Sequence, residues 1–536
     1  MIYSIVKKEW LKIKYLVLSM FVLSIFVLAY FWFKIDFLFS TIEPKSMMWY
    51  RFITLEQKPY QYFSYLFYVT AILISCFQFI PEKMGKKIKI MIHLPIDMHK
   101  SLFMHLFVGF FYLLAVCTLF TISSYFILLN YYPYELIFIA LKDLGFYLLS
   151  SIILYLGISA TIIERQTSFS MLKLFITLFI SVIFHKNIYN SFDLFWLVLL
   201  ISMFFITLDS FYSIKEQRVK SKLFKLLLLV SFLLVSYFAY NTYINKYKQS
   251  SNKYYIFYSP IKKEFVYQKN FGGHHFKYGI KNKGSFDRET YESYLPFVYW
   301  RNLDIQKKLP IIIDNESFDK KTIKESRLSF SYKPKELKKQ ELDFFPFINP
   351  ISNIGMIRFP EEFILFKDKE IRVYNFEEKL DLALTDKIKN LVDKHNVSFP
   401  IKNIWGKATN LKPFDLGYFF LDAKDKLFKI NKADNKIYLK EVVYPENIEI
   451  KHIKISENRQ QKLAGFAISK NNKFYLIDYK TLDFRALQLD NFDYKTMRLQ
   501  LISNPKYYLI RYTDEKSYHV AIFDKNFEKI DQEIFK

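Results

Sequence analysis

Hydrophobic positions fall into two regimes along the chain. Before about residue 242 they come in long runs separated by basic clusters; after Lys246 they alternate with polar residues in short stretches. The first residues place Ile2, Ile5, Val6 and Trp10 at helical spacing against Lys7, Lys8, Lys12 and Lys14. That pattern predicts a basic amphipathic helix over residues 1–14, lying in a membrane interface. No small-residue cleavage site follows the first apolar run, which argues against a cleavable signal peptide. Tyr15 to Phe33 is 19 residues without a charge, enough to cross a hydrocarbon core of ~30 Å. Phe63–Ile80, Leu102–Leu129, Leu144–Ile163, Leu174–Phe184 and Leu194–Leu208 read as the second to sixth spans, and Leu226–Tyr240 as the seventh. The fifth reaches full length if Lys173 snorkels, and Lys225 serves the seventh in the same way. The expected organisation is an interfacial helix at 1–14, a six-span membrane domain at 15–212, a basic loop and seventh span at 213–245, and a soluble domain at 246–536.

The soluble part reads as short strands between Asp/Asn/Lys turns. Three stretches look alike: Tyr418–Leu421 with Leu427–Ile430 and Ile437–Leu439; Ala464–Ile468 with Phe474–Ile477 and Phe484–Leu487; and Tyr507–Tyr512 with Tyr518–Phe523 and Phe527 onward. Phe419, Phe466 and Tyr508 are corresponding positions, 47 and 42 residues apart. An earlier hairpin, Phe363–Phe366 with Ile371–Tyr374, precedes them. Meander strands with a period near 40 to 50 residues predict an all-β domain of propeller-like blades, and an irregular β-sandwich is the alternative. Glu377–His395 reads as a helix inserted between units, with Leu380, Leu382, Leu384, Ile388 and Leu391 on its apolar side.

Composition follows this division. The chain has 536 residues at 52% hydrophobic, with 41 Tyr and 58 Phe, too apolar for a soluble pair of domains. The net charge of +25 would suggest nucleic acid in a soluble protein. Here many basic residues flank spans, no nucleic-acid reader motif occurs, and nucleic acid is not expected as a partner. The two cysteines, Cys76 and Cys117, both lie in apolar runs, so no disulfide framework is expected.

The basic residues also set an orientation. Sixteen lie on one side of the seven spans: Lys7, Lys8, Lys12, Lys14, Lys83, Lys86, Lys87, Lys89, Lys100, Arg165, Lys173, Lys215, Arg218, Lys220, Lys222 and Lys225. The other side has six: Lys34, Lys45, Arg51, Lys58, Lys142 and Lys186. The positive-inside rule then puts the N-terminus in the cytoplasm and, after an odd seventh crossing, the β-rich domain outside it. A multi-pass protein of the bacterial inner membrane is expected, with the bilayer itself as a partner.

Between the second and third spans, residues 81–101 carry Glu82, Gly85, apolar residues at Ile88, Ile90 and Met91, and then Leu94-Pro95. A short amphipathic helix ended by a proline that opens the next helix makes a mechanical lever, because proline at a helix start has a fixed φ and gives up no hydrogen bond. The order of acidic residue, glycine, apolar helix, Leu-Pro and short polar turn resembles the cytoplasmic coupling segment of ABC-2-type exporter permeases. In that family the turn continues Val-Ser-Arg; this chain has Ile96-Asp97-Met98, with its basic residue at Lys100. The basic N-terminal helix and the six-span core are similar as well, over residues 1 to about 212. The resemblance implies that Glu82, Gly85, Leu94, Pro95 and Asp97 couple the membrane domain to a separate ATPase subunit, and that a second permease copy or a paralogue completes the transporter. The seventh span and the β-rich domain depart from a plain six-span permease; they resemble fused permease-plus-outer-domain proteins of bacteria.

No ATP site accompanies this segment. A phosphate loop needs Gly-x4-Gly-Lys-Ser/Thr, and neither Gly85-Lys86 nor Gly406-Lys407 has the upstream glycine or the hydroxyl. Neither Gly-x-Ser-x-Gly nor His-Glu-x-x-His occurs, so no catalytic activity and no cofactor is expected of this chain. Gly272-Gly273-His274-His275 could bring two imidazoles to a metal, although a glycine turn that happens to carry histidines explains it better. His105, four residues into the third span, is an intramembrane ionisable candidate. Three functions are open: an ABC-type permease subunit whose outer domain gates or binds cargo or partner, a membrane-anchored extracytoplasmic binding or sensor protein, and a polytopic lipid-linked sugar transferase. The last would want an acidic pair in an early outer loop, where only the widely spaced Asp36, Glu43 and Glu56 occur. Seven spans are excessive for an anchor, which favours the permease.

Overall fold

Residues Ile2–Thr41 form one uninterrupted helix, α1, in the computed structural model, which describes residues 2–85, 98–185, 193–214, 222–247, 253–273, 275–446, 448–514 and 517–536. The expected interfacial helix and first span are thus continuous, 40 residues or about 60 Å at 1.5 Å per residue. The chain divides into two compact units, Met1–Lys248 and Gln249–Lys536.

In the first unit six further long helices follow: α2 (Tyr65–Met84), α3 (Met98–Leu129), α4 (Tyr134–Ile163), α5 (Thr167–His185), α6 (Asp193–Ile214) and α7 (Lys222–Tyr247). Among the described residues five helices are long and apolar enough to cross a membrane, over Tyr3–Thr41, Gln61–Met84, Lys100–Leu129, Tyr134–Ile163 and Leu197–Ile214. The apolar segments of α5 and α7 are shorter among the described residues, Thr167–Val182 and Leu228–Ile244. Helix α4 is the axis of the bundle: α2, α5 and α6 pack around it, and α1 packs on α3. Close approach needs small residues. A Cβ on Gly109 of α3 would run into the Gln78 and Tyr155 side chains, and one on Gly157 of α4 into Thr177. The exposed face of α1, with Leu18, Ile25, Phe26 and Phe33, is what a lipid-facing helix requires.

The second unit is built from successive antiparallel meanders. The first is β1 (Lys253–Ser259), β2 (Glu264–Asn270), β3 (Phe276–Ile280) and β4 (Gly284–Phe286). A hairpin, β5 (Ile311–Ile313) and β6 (Glu316–Phe318), and strand β7 (Leu328–Tyr332) follow. The second sheet is β8 (Phe344–Pro346), β9 (Phe363–Phe366), β10 (Ile371–Asn375) and β11 (Lys379–Leu380). The third is β12 (Asn403–Gly406), β13 (Tyr418–Leu421), β14 (Leu427–Ala433) and β15 (Lys436–Val442). The fourth is β16 (Ile450–Ile455), β17 (Leu463–Ser469), β18 (Phe474–Asp478) and β19 (Phe484–Leu487). The fifth, β20 (Arg498–Ser503), β21 (Tyr508–Thr513), β22 (Tyr518–Phe523) and β23 (Lys529–Phe535), takes β7 on its β20 edge. The helix Leu382–Lys394 packs Ile388 and Val392 onto the second sheet, capped by the Asp381 carboxylate accepting from Leu384 N–H. Every pairing is antiparallel, and among the described residues no pairing joins the meanders into a closed barrel.

The sheets share cores in chain order. Tyr418 and Phe420 face the second sheet, with Phe366 and Val373; Phe419 and Leu421 face the fourth, with Ile453 and Ala467. Further cores join the fourth sheet to the fifth through Phe466 and Ile510, and the fifth to the first through Leu509 and Ile256. Strands β13 and β17 are therefore buried on both faces, which is why they read as apolar runs rather than alternating ones; β21 is buried likewise except at Arg511 and Thr513, which are half-buried. The polar turns fall where left-handed residues are tolerated, at Asp425, Asn435 and Asn472. Gly465 sits in a bulge of β17 at φ +152, where a Cβ would strike the Lys454 carbonyl.

Candidate functional site

Buried charges collect at one end of the helical unit, around the ends of α2 and α3 between which residues 86–97 run. Lys8 and Lys12 on α1 each reach Glu82 Oε1 on the last turn of α2, at 2.8 Å. Lys12 also lies 2.6 Å from Glu9, which is wholly buried. Glu9 in turn stands 3.4 Å from His105 Nε2 on α3, whose Nδ1 bonds the Ser101 carbonyl at 2.8 Å. Below His105 the contacts become neutral. Gln78 Nε2 donates to the His105 carbonyl at 2.7 Å, and the Tyr155 hydroxyl on α4 donates to Gln78 Oε1 at 2.9 Å and to the Leu106 carbonyl at 3.0 Å.

A second cluster continues from the first. Lys83 Nζ donates to the Glu164 carbonyl at 3.1 Å, at the end of α4. The Glu164 carboxylate holds Lys173 of α5 at 2.7 Å, and Lys173 also meets Asp209 and Ser210 of α6, both at 2.8 Å. Lys173 is fully buried; it does not snorkel, because two carboxylates and a hydroxyl satisfy its ammonium inside the bundle. A buried charge left unpaired is costly, so these contacts fix the relative positions of α1 to α6 at this end. At the opposite end Lys58 and Tyr60 converge on buried Asp143 at 2.6 and 2.5 Å, and Tyr68 bonds His185 at 2.9 Å.

Of the residues expected to couple to an ATPase, Glu82 lies in this network, and Gly85 ends α2, donating its N–H to the Pro81 carbonyl. Leu94, Pro95 and Asp97 lie outside the described residues. His105 faces inward, 3% exposed, because Glu9 and the Ser101 carbonyl offer it polar partners within the bundle. His275 follows the left-handed Gly272-Gly273 turn, its N–H bonded to the Gly272 carbonyl; His274 lies outside the described residues. Among the described residues no group of three His, Cys, Asp or Glu is placed to hold a metal.

The β-rich unit contains a cavity of about 690 Å³. Edge strands of four sheets contribute to its wall: β7, β8 through Phe345, β12 and β16. Lys454 pairs with Glu336 at 2.7 Å, and the His452 ring lies 3.7 Å from the same carboxylate. Burial drives the His452 imidazole down to about 4, and the charge of Lys454 adds to this. Glu457 accepts from Lys412 at 2.8 Å and from Leu416 N–H at 2.9 Å. Burial still pushes its carboxyl up, to about 7, against the pull of the Lys412 ammonium.

Residues 255–523, half of the chain, match one family model, described as Domain of unknown function (DUF4857). The chain belongs to that family. The DUF4857 region begins within β1 and ends with β22, so it takes in the whole cavity wall and none of the long apolar helices. No curated protein and no solved structure matches the chain.

Sequence reasoning missed most of these groups. Nothing in the sequence set Glu9 or Asp209 apart, and Glu164 stands beside Arg165 at the end of the fourth span, where a charge is an ordinary anchor. The available signal was a carboxylate within reach of a lysine inside an apolar run, as at Lys173. The first strands of the DUF4857 sheets were also missed. Arg498–Ser503 has the alternation that marks a half-buried strand, and β16 has it in part, with a bulge beside His452.

Proposed function

We propose that the chain is the membrane-spanning permease subunit of an ABC-type exporter, moved by a separate ATPase that docks on residues 81–101. The observation that carries this reading is the charge-paired network at the ends of α2 and α3. A load applied to the segment between those helices passes through Glu82 to α1, through His105 to Glu9, and through Lys83 to the Glu164–Lys173–Asp209 cluster. A loop with no mechanical role has no need of so many buried ion pairs at its base, where each must overcome desolvation. The N-terminus is cytoplasmic and the β-rich unit extracytoplasmic, in a bacterial inner membrane, and a second permease copy completes the pathway. The five meanders are set radially in a propeller-like unit; the cores shared in chain order and the edge strands around one cavity support that arrangement. This outer unit gates or binds cargo or partner.

The reading is tested by purifying the full chain in mild detergent and assaying what travels with it. An ATP-hydrolysing polypeptide is expected with wild type and is expected to be lost when Gly85 and Pro95 are replaced by Trp and Arg. An intact chain that brings no ATPase activity sinks the reading. The membrane-anchored binding protein would then be preferred, which the cavity of the β-rich unit already favours.

A further inference from the structure

We infer that the cavity of the β-rich unit is a binding site for a small multivalent oxyanion, a solute carrying two or more carboxylate or phosphate groups. The inference stands on this unit alone and does not depend on transport. A volume of about 690 Å³ is in the range that encloses a small organic ligand. Its wall carries six lysine and arginine side chains against three carboxylates. Two of those carboxylates are already engaged by a lysine, Glu336 by Lys454 and Glu457 by Lys412. The third, Asp343, is held toward its neutral form by burial.

The cations are not balanced in this way. Among the described residues Arg327, Lys338 and Lys407 have no carboxylate partner, and they come from three separate parts of the wall: the start of β7, the stretch before β8, and the end of β12. Like charges on a concave wall repel one another, and a cleft lined by one sign of charge concentrates the opposite ion. Arg327 and Lys338 are exposed, so the cavity admits solute from water. Among the buried polar atoms of the wall, Nε2 of His452 lacks a hydrogen-bond partner. An orphaned polar atom on a ligand-sized wall is satisfied at low cost by a bound polar group. Trp405, 9% exposed, gives the same wall an apolar surface for a ligand's carbon skeleton. Guanidinium and ammonium groups from separate parts of the wall, with one aromatic side chain in the same lining, suit a solute whose negative charges are spread over several atoms.

The test uses the full chain in nanodiscs of zwitterionic lipid, titrated calorimetrically with citrate and, separately, with pyrophosphate. Saturable binding of at least one probe at a single site per chain is expected, weakening as salt rises from 50 to 200 mM. The Arg327→Gln/Lys407→Gln pair is expected to raise Kd at least tenfold, while Lys436→Gln, at an exposed position away from the cavity, leaves it unchanged. Lys338→Gln alone, at an exposed position, is expected to raise Kd about threefold and serves if the double variant unfolds. Absence of saturable binding by both probes overturns the assignment. So does binding that the cavity variants leave intact, or that Lys436→Gln weakens as much as they do.

Discussion

Replacing Lys173 by methionine isolates the energetic role of the buried network. The methionine side chain preserves most of the volume and removes the ammonium that holds Glu164 at 2.7 Å and Asp209 at 2.8 Å. The two carboxylates respond differently. The Asp209 side chain is 24% exposed and can regain water; Glu164 is 1% exposed and keeps neutral donors in place of the ammonium, among them the N–H groups of Arg165 and Gln166 at 3.0 and 3.2 Å. Stranding one member of a buried ion pair costs about 3–5 kcal/mol. With one of the two carboxylates able to rehydrate, the lower end applies, about 3 kcal/mol, or roughly 150-fold in the folding equilibrium. Adding Glu164→Gln removes the stranded charge, so the double variant is expected to regain at least about 1.5 kcal/mol over Lys173→Met alone. Reversible SDS titration of the chain in mixed micelles, followed by tryptophan fluorescence, measures each corner of the cycle. A Lys173→Met protein within about 0.5 kcal/mol of wild type, or a cycle without coupling, refutes the claim that this cluster ties α4, α5 and α6 together.

Two further predictions follow from single positions. Gly109→Ala forces a Cβ onto Gln78 and Tyr155 and should destabilise the helical unit by about 1–3 kcal/mol, whereas Gly145→Ala, with nothing within 4 Å, should stabilise it by about 0.5–1 kcal/mol; thermal unfolding in detergent distinguishes the two. Glu457 has a folded-state pKa raised from 4.5 to about 7. Its folded form therefore holds a proton that the unfolded chain releases, and its contribution to stability falls as pH rises from about 4.5 to about 7 and is flat above that. Wild type should lose a few degrees of Tm relative to Glu457→Gln across that window, and parallel profiles for the two proteins would contradict this.

Local signals carried far into this protein. Long charge-free runs specify helices that lie in lipid, because a bilayer leaves every backbone group to be satisfied within its own helix. Doubly buried strands such as Phe363–Phe366 and Tyr418–Leu421 stand out as short apolar runs between Asp/Asn turns, and so the meanders and the two-unit division were legible from sequence alone. What the tertiary structure alone decided is pairing across distance. Lys12 meets Glu82 after 70 intervening steps of chain, and Lys173 meets Asp209 after 36. No periodicity encodes such partners, since each looks locally like a solvated or interfacial charge. The cavity depends on the same physics: β7 must leave its neighbours in sequence to pair with β20, Ser329 opposite Ile502, before Arg327, Lys407 and His452 line one wall. Sequence periodicity reports which face of an element is buried; only the packed structure reports what that face is buried against.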